Sequence, residues 1–530
     1  MTMIILYNAR IHSPDKLNPP ASAIAIDGAR IAAAGSDDEI LAAASASAKK
    51  FNLEGKTVWP GLTDSHLHLQ MYGEFLTQID CETPTKQECL ERVAKKAKET
   101  PEGEWILGHG WNQNIWEGGF PCAADLDRIT SRHPVYLTDK AIHSAWANTL
   151  ALQLAGVTSS LSDPEGGTIQ RDKDGEPTGI LFENAVRLIE AIIPQVTPDQ
   201  LETSILAAQE RLLFYGVTSV HDFDGEECFA SLQSLESGGK LKLRVCKGIP
   251  FALLDSAIAM HLHSGFGSDH LWLGSLKLFA DGALGPQTAA MLAPYEGSSS
   301  DTGTLLLTAD EVFEIGIRAV NSGLSLAIHA IGDKATNQVL NGYGMLREYE
   351  HQNHLPGLLH RIEHLQLLHP DDIMKPWQLN ITASMQPLHA TSDMFTADKH
   401  WGKRAKYAYL FNTMIKSGAP VIFGSDAPVE SPNPFRGMHA AVTRMRPDGT
   451  PSADGWYPAE KISLSAALKA YTKTPAEISG RAGVIGELRP GLKADLIVLD
   501  RDPFALPPSE LHSVRPSSVM VDGQWVIEGH

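Results

Sequence analysis

The sequence predicts an α/β protein, a (β/α)8 TIM barrel interrupted by an insertion after its first strand, with small β units at both termini. Three observations predict it. Eight short runs rich in Val, Ile and Leu recur between residues 58 and 426, most with a helical stretch between them, as parallel strands buried on both faces require. The two ends of the chain carry matching hairpin signals. The stretch of roughly 75–195, between the first and second runs, is too long for a loop and holds Trp105, Trp111, Trp116 and Trp146. It is expected to fold as an insertion over the barrel mouth.

The elements follow in chain order. Ala23–Ile26, Asp27-Gly28 and Ala29–Ala33 read as a hairpin with a type I′ turn, because Asp-Gly accepts positive φ at both central positions. Val58–His66 is the first barrel run. Thr197 caps a helix with Pro198 in its first turn and Gln200 closing a capping box. Leu201, Ile205, Ala208 and Leu212 form its apolar stripe, and Gly216 ends it. The remaining runs are Val217–Asp222, Leu243–Pro250, Ser275–Asp281, Leu324–Ala330, Leu359–Gln366, Ile381–Pro387 and Pro420–Asp426. Ala494–Leu499 adds a strand, and Val519–Val521, Asp522-Gly523, Gln524–Ile527 repeats the hairpin form.

Composition narrows the classes. The 530 residues are 43% hydrophobic and 20% charged, ordinary for a soluble globular chain with a large core, which excludes disordered and fibrous proteins. A length prior of about 150 residues per domain gives about three domains, a rule that barrels routinely break. Lys+Arg 44 against Asp+Glu 63 leaves a net charge of −19, a poor match to phosphate backbones or anionic lipid. Five cysteines without a Cys-x-x-Cys pair argue against a disulfide framework. Met1–Arg10 lacks a basic n-region and no apolar run reaches the ~18 residues of a membrane span. The expectation is a cytoplasmic protein acting on a small molecule, with no nucleic-acid or membrane partner and a homo-oligomer left open.

The strongest chemical signal is His66-Leu67-His68 at the end of the first run. Side chains at i and i+2 share one face of a strand, so both imidazoles can converge on one ion. A His-x-His alone is more often ordinary histidine. Here Lys277, His329, His364 and Asp426 stand at the ends of four other runs, on the side where barrels keep their active sites. Each alone has a bland reading, but a buried Lys277 among apolar neighbours needs an explanation. Together they read as a metal centre. His143, Glu183, His221, Asp222, Gln386, His389 and Arg404 are weaker candidates to line the mouth, where structural hydrogen bonding competes with substrate contact. Of these, His143, His221, Gln386, His389 and Arg404 are the substrate-binding candidates.

Several segments carry a resemblance: Val58-Trp59-Pro60-Gly61-Leu62-Thr63-Asp64-Ser65-His66-Leu67-His68, Lys277-Leu278-Phe279-Ala280-Asp281-Gly282, His329-Ala330-Ile331-Gly332-Asp333-Lys334-Ala335, Arg361-Ile362-Glu363-His364, Ser425-Asp426-Ala427-Pro428-Val429 and Gly486–Leu496. They resemble the amidohydrolase superfamily, amidohydrolase family 3 type, the branch that includes N-substituted formamide deformylases. The resemblance implies a β-sandwich built from both termini, with its halves at 1–57 and 479–530 around a barrel at 58–478. It implies metal ligation by His66, His68, Lys277, His329, His364 and Asp426. Zn2+ is the expected ion, one or two per chain, with a carboxylated Lys277 as bridge. One departure stands out: after Asp281-Gly282-Ala283-Leu284-Gly285 the family continues with Ser-Arg, and here Pro286-Gln287 follows.

The reaction implied is hydrolysis of a C–N bond, in an amide or an N-acyl or N-formyl amine, by metal-activated hydroxide with Asp426 as general acid and base. Two alternatives remain. A mononuclear deaminase of a cyclic imine or heterocycle usually lacks the bridging lysine and carries a His-x-x-Glu motif, whereas His329 here is followed by Ala330-Ile331-Gly332 and then Asp333, not the expected Glu. A non-catalytic regulatory protein on the same barrel would typically have lost a ligand.

Overall fold

The computed structural model describes residues 3–15, 20–113, 116–139 and 144–529. It divides into two compact units, one formed by Met1–Leu69 with Gln209–His530 and the other by Gln70–Ala208.

The first unit carries the barrel. Its strands are β1 (Leu62–Leu67), β2 (Val217–Asp222), β3 (Arg244–Pro250), β4 (Leu271–Phe279), β5 (Leu326–Ala330), β6 (Arg361–His364), β7 (Thr382–Met385) and β8 (Val421–Phe423), hydrogen-bonded in chain order and all parallel. Helices follow the strands, among them Glu226–Ser237 after β2, Ala309–Asn321 after β4 and Asp333–Gln352 after β5. The row of eight closes just beyond β8, where the Asp426 amide donates to the His66 carbonyl at 2.7 Å and the His68 amide to the Ala427 carbonyl at 2.9 Å. Gly424 permits that approach, since a Cβ there would stand 2.5 Å from the His66 nitrogen.

The expected single run Val58–His66 is two strands. Thr57–Pro60 pairs antiparallel with Leu496–Leu499 in a five-stranded sheet, and β1 begins at Leu62. Gly61 makes the switch: its amide donates to the Asp495 carbonyl at 2.9 Å, and a Cβ on it would lie 2.2 Å from Thr218 Oγ1. The terminal β unit therefore runs to Pro60, past the residue-57 boundary expected from the sequence. A four-stranded sheet of Arg30–Gly35, Ala23–Asp27, Ile4–Tyr7 and Lys49–Asn52 completes the sandwich. Leu6, Ile24 and Ile26 from one sheet share a buried cluster with Val58, Leu496, Val498 and Met520 from the other. The first hairpin differs from its expected turn. Asp27 pairs with Arg30, so Gly28 and Ala29 are the central residues and only Gly28 has positive φ, 57°. That excludes type I′, which needs positive φ at both. The second hairpin has both, with Asp522 at 49° and Gly523 at 71°.

One polar cluster joins the sandwich to the barrel wall. Arg244, at the start of β3 and 1% exposed, donates from Nε to Asp495 at 2.5 Å and from Nη2 to Asp522 at 2.7 Å. His270 Nε2 lies 2.7 Å from Asp522 and Lys493 Nζ 3.1 Å away. Burial pushes the Asp522 carboxyl up, but hydrogen bonds from His270 and Arg244 and the charge of Arg244 outweigh it and hold it well below the usual range. A carboxylate depressed on folding stabilises fully above its unfolded value near ~3.9 and less as pH falls through the folded one. Asp522→Asn is therefore expected to lower the unfolding free energy by about 1–3 kcal/mol at neutral pH, with the difference shrinking in acid. Urea unfolding of both proteins between pH 7 and pH 3 checks this; a difference independent of pH contradicts it.

The second unit is a mixed six-stranded sheet in the order Gly167–Arg171, Pro177–Glu183, Ser144–Ala147, Val135–Asp139, Ile106–Trp111, Ile79–Asp80. Alternate residues serve two cores: Val135, Leu137, Trp146 and Ile180 pack with Trp111 and Trp116, whereas Tyr136, Ala145, Ala147 and Leu181 join the other. The capping box at Thr197 is present, with the Gln200 amide donating to Thr197 Oγ1 at 3.3 Å and the Thr197 amide to Gln200 Oε1 at 2.9 Å. The unit is wider than the expected 75–195, beginning at Gln70 and ending at Ala208.

Candidate metal centre

The carboxyl ends of β1, β4, β5, β6 and the turn after β8 bring together most of the histidines that the sequence singled out. His66 is the last inward residue of β1, and His68 follows where the strand ends. Their rings stand 5.9 Å apart, and Nε2 of each faces Asp426 Oδ1, at 3.5 Å and 3.6 Å. One ligand atom from each of these three side chains lies within 4.8 Å of the others. His364, His389 and Asp426 form a second such group, so the one carboxylate serves both.

The backbone is shaped for this. Asp426 has φ 61° and His364 φ 71°, with Leu365 at 42° directly after it. Non-glycine residues held left-handed generally cost on the order of 1–3 kcal/mol, less for Asp and His, and cluster at functional sites. Here two such left-handed turns carry two of the donors.

Ring orientation is set by partners behind the site. Glu363 Oε2 accepts from His66 Nδ1 at 2.5 Å and Gln386 Oε1 from His364 Nδ1 at 2.9 Å, which makes Nε2 of each ring the acceptor; that of His66 faces Lys277 Nζ. Gln386, a substrate-contact candidate by sequence, thus orients a ring instead. Burial, then neighbouring Lys277 and histidine charge, hold His66 well below its ordinary value, and His364 likewise, so both are neutral donors. His68 goes the other way: burial lowers it, but the bond from Nδ1 to Asp224 at 3.2 Å and that carboxylate's charge raise it overall. His329 belongs to neither three-residue group. Its Nε2 donates to the Gly282 carbonyl at 2.9 Å, leaving Nδ1 as the acceptor, and its ring lies 4.6 Å from that of His364. Burial, then Lys277, lowers it to about 4.

Lys277 Nζ stands 3.4 Å from His66 Nε2 and 4.5 Å from the centre of the Phe223 ring. Burial lowers it to about 8. Asp281 is engaged elsewhere: it accepts from the amides of Ile331, Gly332 and Ala290 at 3.0, 2.8 and 2.8 Å.

The remaining candidates separate. His389, taken from sequence as a substrate contact, falls in the second donor group, its buried Nε2 3.8 Å from Asp426 Oδ2 and without a hydrogen-bond partner among the described residues. His221 is buried behind the centre, where Nδ1 accepts from Arg361 at 2.8 Å. Asp222 pairs with Lys247 at 2.8 Å and accepts from the Leu69 amide. Arg404, expected at the mouth, donates instead to the carbonyls of Ala293, Pro294 and Trp401 and clamps a loop. Glu183 ends a strand of the second unit. His143 lies outside the described residues.

Four functional neighbours escaped the sequence reading: Glu363, Arg361, Asp224 and Lys247. Arg361 donates to both oxygens of Glu363 and, at 2.7 Å, to the Ser65 carbonyl. Lys247 bridges Asp222 and the Asp224 carbonyl, so the buried trio Asp222, Asp224 and Cys228 already holds a cation. Their sequence signal is the one that marks Lys277: Lys247 and Arg361 are likewise charges inside apolar strands and need partners there.

A closed eight-stranded barrel with converging histidines and a shared aspartate at its carboxyl rim defines a barrel protein with a metal-type donor set. The chain belongs to the amidohydrolase family, whose sequence profile matches residues 49–527. It is 34% identical over 511 residues to Protein LONG AFTER FAR-RED 3 of Arabidopsis thaliana, covering 94% of this chain and 87% of that one. It is 28% identical over 557 residues to the N-substituted formamide deformylase of Arthrobacter pascens, covering 99% and 98%. Among solved structures it resembles an uncharacterized metal-dependent hydrolase from Pyrococcus furiosus, with a TM-score of 0.78, 31% identity and coverage of 94% and 99%.

Proposed function

We propose that the protein is a metal-dependent hydrolase of C–N bonds in small amides or N-acyl amines, N-substituted formamides among them. The observation that carries this is the pair of donor groups sharing Asp426, each with its ligand atoms within 4.8 Å. The donor chemistry fits a divalent ion: imidazole with carboxylate suits zinc, and the buried His389 Nε2 has no hydrogen-bond partner among the described residues. His66, His68 and Asp426 would hold one ion. His364 and His389 or His329, with a carboxylated Lys277, would hold a second. Such an ion polarises a carbonyl and lowers the pKa of water from 15.7 to about 7.

The chain's own groups supply the rest. Asp426 takes a proton from the attacking water and returns it to the departing amine, as a carboxylate between histidines can. Glu363 and Asp224 keep His66 and His68 in the tautomer and orientation that present Nε2. Phe279, the last residue of β4, is 52% exposed and 5.3 Å from the His329 ring, a surface suited to an apolar substituent on the substrate. The relationship to an N-substituted formamide deformylase supports that substrate class. A deaminase is less well supported, because the position three residues after His329, where an acid–base glutamate would be sought, is Gly332, and the acid beside it, Asp333, accepts from the Leu292 amide at 2.8 Å.

Chelation followed by dialysis is expected to abolish hydrolysis of an N-substituted formamide and amide panel, and added Zn2+ to restore it. Turnover that persists in the metal-free protein contradicts the proposal, as does ammonia release from heterocycles without activity on amides.

A further inference from the structure

A second cavity, of about 270 Å³, lies in the first unit behind the Asp426 rim. Its wall includes Leu273 and Ser275 from the early part of β4, Ser325 directly before β5 and Leu358 before β6, toward the amino ends of those strands, together with His221 and Phe223 from the carboxyl end of β2. Inside the barrel wall it is lined by His221 and Cys246. Active-site chemistry in this fold belongs to the carboxyl rim. The proposed reaction uses none of these residues.

The bonding of His221 fixes what it offers. Arg361 Nη1 has only hydrogens to give, so His221 Nδ1 at 2.8 Å is the acceptor. Burial, then Arg361, lowers His221 to about 3, so the ring is neutral and its one proton sits on Nε2. That N–H is buried and has no acceptor among the described residues. A buried donor left unpaired is costly, and an acceptor oxygen in the cavity removes the cost. Beside it Ser275 and Ser325 share a hydrogen bond at 2.8 Å, and Leu273 and Leu358 give the same wall an apolar face. The charges acting on Cys246 are Arg361, Arg481 and Lys247, all cationic. The volume falls just below the range of drug-sized ligand pockets, roughly 300–1,000 Å³, and so suits a fragment.

We infer that this cavity is a binding site for a small organic carboxylate, whose oxygen accepts from His221 Nε2–H while its short apolar body packs on Leu273 and Leu358. The site adjoins the metal centre: Phe223 lines the cavity with its ring 4.6 Å from that of His66 and 4.5 Å from Lys277 Nζ, and Arg361 holds both His221 and Glu363, which holds His66. The rim offers a clean plug. Gly357 is exposed, lines the cavity and has no atom closer than 3.8 Å to a Cβ built on it.

Saturation-transfer NMR with n-butyrate and benzoate tests this on the metal-loaded protein. The expected result is saturable binding to the wild type, weakened on the order of tenfold or more in Gly357→Trp and in His221→Phe. Circular dichroism and thermal melting establish that each variant is folded, and Gly357→Trp keeps the test decisive should His221→Phe not fold. Absence of saturable binding to the wild type overturns the inference. Binding that survives Gly357→Trp unchanged also overturns it, because it places the carboxylate elsewhere, such as on the metal ions. Neither result bears on whether the protein hydrolyses amides, which is read from turnover.

Discussion

Asp426→Asn is expected to lower kcat on the best amide substrate by about 10²–10⁴-fold, the range a positioned acid–base group contributes. Asparagine has nearly the same shape and tolerates the left-handed backbone at φ 61°, so the change isolates charge and proton transfer. The loss has two sources. An amide cannot take the proton that a carboxylate takes. The substitution also removes the one anion shared by His66, His68 and His389, at 3.5, 3.6 and 3.8 Å. Steady-state kinetics with Zn2+ in excess separates them, because added metal compensates only for weakened binding. Activity within a few-fold of wild type would show that the proton travels by another group.

Lys277→Ala is expected to cost on the order of 100-fold or more in activity, at or beyond the 10–100-fold typical of residues that only support a metal ligand. An ammonium 3.4 Å from His66 Nε2 would repel the ion that His66 is placed to bind. Burial already brings Lys277 to about 8, near enough to neutrality for its amine to add CO2 and become an anionic oxygen ligand. Short carboxylic acids supplied to Lys277→Ala are expected to restore part of the activity, whereas Lys277→Arg is expected to remain inactive, since guanidinium forms no such adduct. Full metal content and activity in Lys277→Ala without added acid would contradict the bridging role.

The sequence made most of the barrel legible because strands buried on both faces leave long aliphatic signatures, and Val217–Asp222 matches its strand residue for residue. It blurred β1, since Thr57–Pro60 and Leu62–Leu67 form one apolar run that only the close contact at Gly61 divides between two sheets. The histidines at the rim were legible through their places at strand ends. Their supports were harder to read. Glu363 shares the inward face of β6 with Arg361 and reaches His66, whereas strand alternation would point His364 the other way; the left-handed turn at His364 brings that ring to the same centre. Gln386 and His389 were found as polar residues near the rim, but only the geometry makes one an orienting group and the other a donor. Arg404 gives no local sign that its guanidinium closes onto three carbonyls.

In the function proposed above, Asp426 joins two donor groups into one metal centre. Its most direct test is the divalent metal content, by inductively coupled plasma mass spectrometry, of wild type, His66→Ala and His364→Ala, each shown by circular dichroism to be folded. Bound zinc or a similar ion is expected in the wild type, and less in each variant, because the two histidines serve groups that share Asp426. Wild-type protein that retains no stoichiometric metal after loading, or variants that retain as much as the wild type, would contradict it.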